Sequence, residues 1–379
     1  MNVRDYYFTA KGVQDLVGTE RDSPSYSQSL PRRLALWRRG FLSRAGPIYD
    51  FERYDPESFV SDYQRFVRAK NLNGTWSVAL SNKLFFDWLM RAYGDHRTVV
   101  YGLIRGGLFH EFDDSREPAP AAVAGDGTAA LEPAIDSRTA VRHDAGAWVA
   151  DRLDEEGKLV LKWIRGGGGE NVLLCSRTET GYEINGEHYD RGALVARIDD
   201  LENYLVCEHV EQGPYAAALY PETPNTIRVL TMYDDDAEEA FIAAAVQRMG
   251  SDLSGSMDNF SQGGLSAEID VETGELGPAA QLPYESDRLE WHTHHPETGT
   301  RIQGTEVPAW EPIRDRVLEL ASSHPMLPYV GWDLVLTDDE GSFKIIEAND
   351  HSGLKAMQVH GPLLTDDRVR RFYERHGVC

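Results

Sequence analysis

Lysine is scarce in this chain of 379 residues, confined to Lys11, Lys70, Lys83, Lys158, Lys162, Lys344 and Lys355. Arginine supplies the rest of the 38 positive charges, which face 62 Asp and Glu for a formal net charge of -24. With no basic stripe to displace phosphate counterions, nucleic acid is excluded as an expected partner. So acidic a surface fits a halophilic, salt-adapted cytoplasm and bears on solubility rather than on fold. Cysteine is rarer still. Cys175, Cys207 and Cys379 are odd in number and scattered, which argues against a disulfide framework or a thiolate zinc site. Cys175 and Cys207 sit in apolar, strand-like runs and read as buried thiols. No apolar run is long enough for a transmembrane helix, and the polar opening residues do not read as a signal peptide. The expectation is a cytoplasmic protein without a transmembrane segment.

What is present is a large hydrophobic complement, 41% of residues, enough for two or three packed subdomains. The most informative stretch is Tyr329 to Asp350. The Asp338 to Ser342 composition predicts a turn centred on Glu340, which pairs Asp333 with Glu347 across a hairpin. Like charges set opposite each other destabilise a sheet, so a cation is expected between them. Strict alternation puts Phe343, Ile345, Glu347 and Asn349 on one face, apolar at one end and polar at the rim. Asp333, Glu347 and Asn349 then form an all-oxygen site for a hard cation. Magnesium suits it, because few protein ligands leave positions for water and phosphate. A solvated acidic hairpin is the alternative.

Lys162 is the lysine most worth following. It alternates with Val160 in the strand Leu159 to Trp163, which leads into Gly166, Gly167, Gly168 and Gly169 and then a second apolar strand, Val172 to Cys175. Glycines there can bring backbone N–H groups over phosphates, with the lysine as a point charge beneath them. This is no Walker A pattern, and a flexible hairpin is the plainer reading. Further strands are expected at Tyr204 to Val210, Thr226 to Met232, Phe241 to Val246 and Leu265 to Val271, with a helix at Glu311 to Ser323. Asp113 to Arg138, rich in Ala, Pro and acids, reads as a surface loop. The basic segment Pro31 to Arg39 reads as a solvated helix salt-bridged to acidic neighbours. His292, His294 and His295 lack the companions of a transition-metal site, and His351 reads as a loop histidine beside the hairpin.

The order of these features resembles the ATP-grasp superfamily. Lys83 opens a helix, Lys162 precedes a glycine flap, Glu208 ends a strand at an acidic hinge, Arg228 lies within a strand, and Asp333 precedes Glu347-Ala348-Asn349. More narrowly, the chain looks like the sugar-transfer-associated branch related to α-L-glutamate ligases, on Asn259-Phe260, Gly263-Gly264, His295 to Gly299 and Pro308 to Trp310. The resemblance implies an α+β ATP-grasp fold, two α/β subdomains with mainly antiparallel sheets, over residues 80–364. A mostly helical region 1–79 would precede it, and a C-terminal helix or tail 365–379 would follow. It also implies ATP and Mg2+ as cofactors. Lys83, Lys162, Gly167 and Gly168 would contact the phosphates, Glu208, His209 and Val210 the adenine and ribose. Arg228 would face the transferring phosphate, and Asp333, Glu347 and Asn349 would hold the metal. The implied reaction activates a carboxylate as an acyl phosphate and lets an amine attack it, on small-molecule, sugar-linked or cell-surface polysaccharide precursors. A kinase on the same scaffold and a non-catalytic nucleotide-binding subunit stay open as alternatives.

Overall fold

The computed structural model describes residues 3–22, 28–112, 139–166, 171–255, 257–283 and 288–379. The Asp113 to Arg138 segment and Gly167 and Gly168 of the expected flap lie outside the described residues. The architecture is α+β, with two sheets whose strand pairings are all antiparallel among the described residues. Two compact units carry them, one comprising Met1–Ser81, Ala92–His96 and Glu211–Cys379, the other Asn82–Arg91 and Arg97–Val210.

In the second of these units an eight-stranded sheet runs Thr139–Asp144, Leu108–Phe112, Val100–Arg105, Tyr204–Glu208, Lys158–Trp163, Val172–Arg177, Tyr182–Ile184, Glu187–Tyr189. Alternation divides its central strand cleanly. Leu159 and Leu161 are wholly buried with Val149 and Leu153 of the helix Ala145–Glu156 and Leu194 and Ile198 of the helix Arg191–Asp199. Val160 and Lys162 face the other way. Gly157, at φ 81°, lets its N–H reach the Leu153 carbonyl at 2.9 Å and turns the chain from helix into this strand. On the side of Lys162 a smaller cluster of Val100, Leu205 and Cys207 packs with Leu84, from the helix Lys83–Met90.

The other unit is built on a seven-stranded sheet ordered Glu290–His292, Leu276–Gln281, Leu265–Ile269, Glu239–Met249, Ile227–Asp234, Tyr329–Leu336, Phe343–Asn349. Tyr329–Leu336, paired on both edges, is buried at every residue. The N-terminal residues share its core: Leu36, Phe41, Tyr49, Phe59 and Val60 cluster with Leu230, Met232 and Val246 of the sheet and with Phe372 and Tyr373 of the helix Asp367–Arg375. Pro31 to Arg39 falls largely in a helix, Leu30–Arg38, where Arg33 pairs with Glu20 at 3.1 Å and the Trp37 indole donates to the same carboxylate at 3.0 Å. Among the described residues no helix is long and apolar enough to cross a membrane.

The hairpin forms in the expected register, with Asp333 opposite Glu347. Asp338 shapes its turn by accepting the N–H groups of Glu340 and Ser342 at 3.0 and 2.9 Å. One expectation fails. The pairing slips between Asp333 and Leu334, which faces Ile345, so Ile346 is an extra residue. That bulge reverses the alternation. Phe343 and Ile345 pair with Leu336 and Leu334 on one face, whereas Glu347 and Asn349 pair with Asp333 and Gly331 on the other.

Candidate functional site

Three strands bring their polar side chains to one end of the larger unit's sheet. Register sets Arg228 beside Asp333 and Asp333 beside Glu347, and the side chains share a face. Arg228 grips Asp333 with two N–H donors: Nη2 to Oδ2 at 2.6 Å, and Nε to Oδ1. Arg248, from the next strand, lies with Nη1 3.5 Å from Asp333 Oδ1 and donates through Nη2 to Asp258. Asp258 in turn accepts the Thr226 N–H at 2.8 Å. Asn349 Nδ2 approaches Asp333 Oδ2 and the Gly331 carbonyl, each at 3.4 Å, leaving its Oδ1 as an acceptor. Two guanidiniums therefore offset the Asp333 charge from the side opposite Glu347.

The electrostatics follow from burial offset by pairing. Burial alone would raise the Asp333 carboxyl, but Arg228 and Arg248 overcome it and hold the group below the ordinary carboxylate value. Burial likewise opposes the charge on Arg248, and Asp258, Asp333 and Glu347 together outweigh it and push its pKa up. Both Asp258 and Asp333 are about 3% exposed. Paired buried charges of this kind lock geometry, because removing one partner strands the other.

Asp333, Glu347 and Asn349 do share a face, as a hard-cation site requires. A carboxylate offers about four lone-pair positions; at Asp333 two take Arg228 N–H groups, and the contacts from Arg248 Nη1 and Asn349 Nδ2, at 3.5 and 3.4 Å, are long enough for a metal to displace. Oxygen donors of this type suit magnesium. Among the described residues no group of three or more His, Cys, Asp or Glu could hold a metal ion, and the set here is two carboxylates and an amide.

The second unit carries its own candidate residues, two of them lysines. Asn82 caps the helix Lys83–Met90 by accepting the N–H groups of Leu84 and Phe85 at 3.0 and 3.3 Å. That fixes Lys83, whose backbone N–H donates to Ile164 O at 2.9 Å and whose Nζ donates to Gly166 O at 2.7 Å, at the mouth of the glycine run. Lys162 lies on the same sheet face, near enough to Cys207 to oppose the burial that pushes that thiol up to about 11. Glu208 sits differently. It pairs with Leu159, on the face away from Lys162, and its Oε1 accepts the Val99 N–H at 2.8 Å. Its carboxylate thus fastens a neighbouring chain segment, and His209 and Val210 follow it as the strand ends.

The structure groups Lys83, Lys162, Glu208, His209 and Val210 in one unit and Arg228, Asp333, Glu347 and Asn349 in the other. Arg248, Asp258 and Ser352 were not singled out from the sequence. An arginine closing the apolar strand Glu239–Met249 was the available signal for Arg248. Ser352 Oγ lies 3.4 Å from Arg228 Nη1. His351 is packed against Phe66, donates through Nε2–H to the Arg65 carbonyl at 2.8 Å, and is driven by burial down to about 3. His295 is buried, stacked on Tyr220, with Nε2 2.9 Å from Gly250 O.

A family profile described as sugar-transfer associated ATP-grasp matches residues 136–371, more than half of the chain. Among curated proteins no sequence matches at a significant level. Similar solved structures include the ATP-grasp ligase PsnB complexed with a minimal precursor, at 10% identity and TM-score 0.38, covering 81% of this chain and 64% of PsnB. The D-alanine-D-alanine ligase from Coxiella burnetii gives 13% and 0.34, with 82% and 60% covered. N5-carboxyaminoimidazole synthase from Aspergillus clavatus gives 10% and 0.37, with 83% and 53% covered. This chain spans less than two thirds of the length of each.

Proposed function

Because the chain belongs to the sugar-transfer associated ATP-grasp family, we propose that it is an ATP- and Mg2+-dependent carboxylate–amine ligase, acting on a small, sugar-linked or cell-surface polysaccharide precursor. The observation that carries the reading is the Arg228–Asp333–Arg248 cluster beside Glu347 and Asn349. Two guanidiniums held by buried acids are already oriented, so they can meet charge that develops on a transferring phosphate without reorganising. Lys83 and Lys162 would hold the ATP phosphates as point charges, with the backbone of Gly167 and Gly168 above them. The backbone at Glu208, His209 and Val210 would take the adenine and ribose, since the Glu208 carboxylate is occupied by Val99.

Asp333, Glu347 and Asn349 would hold magnesium, which when bound offsets phosphate charge. Arg228 would then stabilise the phosphoryl group as it passes to a substrate carboxylate. An amine would displace that phosphate, leaving an amide, ADP and inorganic phosphate. Mass spectrometry of products after incubation with ATP, magnesium and a pool of acids, amines and sugars tests this. An amide with ADP and phosphate is the expected outcome. A phosphorylated hydroxyl compound would replace the ligase by a kinase, and intact ATP despite measurable binding would leave a nucleotide-binding subunit.

A further inference from the structure

Residues 61–68 precede the stretch that the family profile matches, yet they are bonded to the loop beside Arg228. Their local structure begins with a reciprocal cap: the Gln64 N–H donates to Ser61 Oγ at 3.2 Å, and the Ser61 N–H donates to Gln64 Oε1 at 2.8 Å. The cap opens a π-helical turn, Gln64–Arg68, a rare geometry that recurs at functional sites. Phe66 and Val67 bury one side of this turn, and Arg65 meets the loop that follows the strand Phe343–Asn349.

Three hydrogen bonds join Arg65 to that loop. Its Nε donates to the Ser352 carbonyl at 2.9 Å and its Nη2 to the His351 carbonyl at 3.3 Å, while its own carbonyl accepts His351 Nε2–H at 2.8 Å. Ser352 carries the contact onward. It is 1% exposed, and its Oγ lies 3.4 Å from Arg228 Nη1, the arm of that guanidinium that Asp333 does not take. Gly331 makes room for this seat, since a Cβ there would fall 2.6 Å from Ser352 Oγ and 2.9 Å from its Cβ. Among the described residues Arg65 forms no ion pair, and its fork is met by carbonyls. A guanidinium drawn from water without an acid costs stability that a well-packed apolar side chain would not, so the fork is better explained by the direction it gives than by the energy it adds.

We infer that Arg65 is a positioning residue for the proposed transfer: it holds the carbonyls of His351 and Ser352 so that the Ser352 hydroxyl meets Nη1 of Arg228. Asp333 grips two donors of Arg228, and Ser352 fixes the third. Arg65 touches no reacting group itself and acts through Ser352. The inference rests on the reading that Arg228 faces the transferring phosphate, and it gives residues before the matched stretch a share in the chemistry.

Arginine side-chain NMR and kinetics on the full chain test it together. The Nε–H signal of Arg228 is identified by its loss in Arg228→Met. Arg65→Lys, which keeps the charge but not the fork, and Ser352→Ala should each shift that signal. With magnesium-ATP, hydroxylamine and a pool of amino-acid and sugar-linked carboxylates, each should lower turnover at saturating ATP by about tenfold, with the ATP KM within twofold. The double variant should match Ser352→Ala, because both changes act through one contact. Arg68→Met, whose native guanidinium lies over the Tyr63 ring, should leave signal and rate unchanged. Ser352→Ala decides alone if Arg65→Lys perturbs folding. An unmoved Arg228 signal in Ser352→Ala, additive losses in the double variant, or an equal loss in Arg68→Met would overturn the positioning role. Absence of wild-type turnover counts against the ligase reading alone, since the Arg228 signal still decides the positioning.

Discussion

The two units hold their positive charge in opposite ways. In the larger unit Asp333 locks Arg228 through two donors and Asp258 holds Arg248 through one, all with little exposure. In the other, the Lys83 ammonium donates to the Gly166 carbonyl at the start of the glycine run, and Lys162 is a compact charge on a strand face. A guanidinium fork fixed by acids keeps its orientation before any ligand arrives, whereas an ammonium can trade a neutral partner for a phosphate oxygen. On the proposed function this difference divides the labour: the lysine side would capture nucleotide and the arginine side would serve the transfer.

Breaking the locked side should cost most. Asp333→Asn leaves two buried guanidiniums short of a counter-charge and should lower unfolding free energy by about 3–5 kcal/mol, read from denaturant midpoints. A change below about 1 kcal/mol there would mean that the arginines are not held as the structure has them. Arg228→Met should reduce turnover roughly 100-fold, the scale of losing one preorganised donor, while ADP affinity shifts by less than about fivefold. Some stability should be lost too, because Asp333 keeps only Arg248. Equal loss of binding and rate would move Arg228 to nucleotide capture and erase the contrast. On the adaptable side, Lys162→Ala should raise the ATP KM on the order of tenfold, with Lys158→Ala as the inert control.

The smallest effect is on pH. Lys355 ordinarily titrates near 10.5 and is pushed to about 7 here. Between pH 7 and 9 the unfolded chain therefore binds the proton that the folded chain has released, so this group makes stability rise with pH, by at most about 1.4 kcal/mol per unit. Lys355→Met should flatten that slope relative to wild type. An unchanged slope would place the ammonium in solvent.

Much of this was legible in the sequence because hairpins obey local rules. Asp338 and Gly341 announce a tight turn, and the turn together with the bulge at Ile346 sets Asp333 against Glu347. The helix start at Lys83 was equally readable from Asn82. The bulge at Ile346 was not, since an inserted residue leaves composition and polarity unchanged and alters only which face follows. Arg248 escaped for a related reason: an arginine at a strand end becomes informative only when folding sets Asp258 and Asp333 around it. Glu208 shows the converse. Its position at the strand end was readable, but not that Val99, over a hundred residues earlier, would claim its carboxylate.

The central claim is that ATP drives formation of an acyl phosphate in the presence of a carboxylate substrate. Hydroxylamine intercepts such an intermediate as a stable hydroxamate. With ATP, magnesium and a pool of sugar-linked and amino-acid carboxylates, but no amine, the account predicts hydroxamate formed in step with ADP and strongly diminished in Arg228→Met. ADP formed with no hydroxamate, its phosphate recovered on a hydroxyl group, would contradict it.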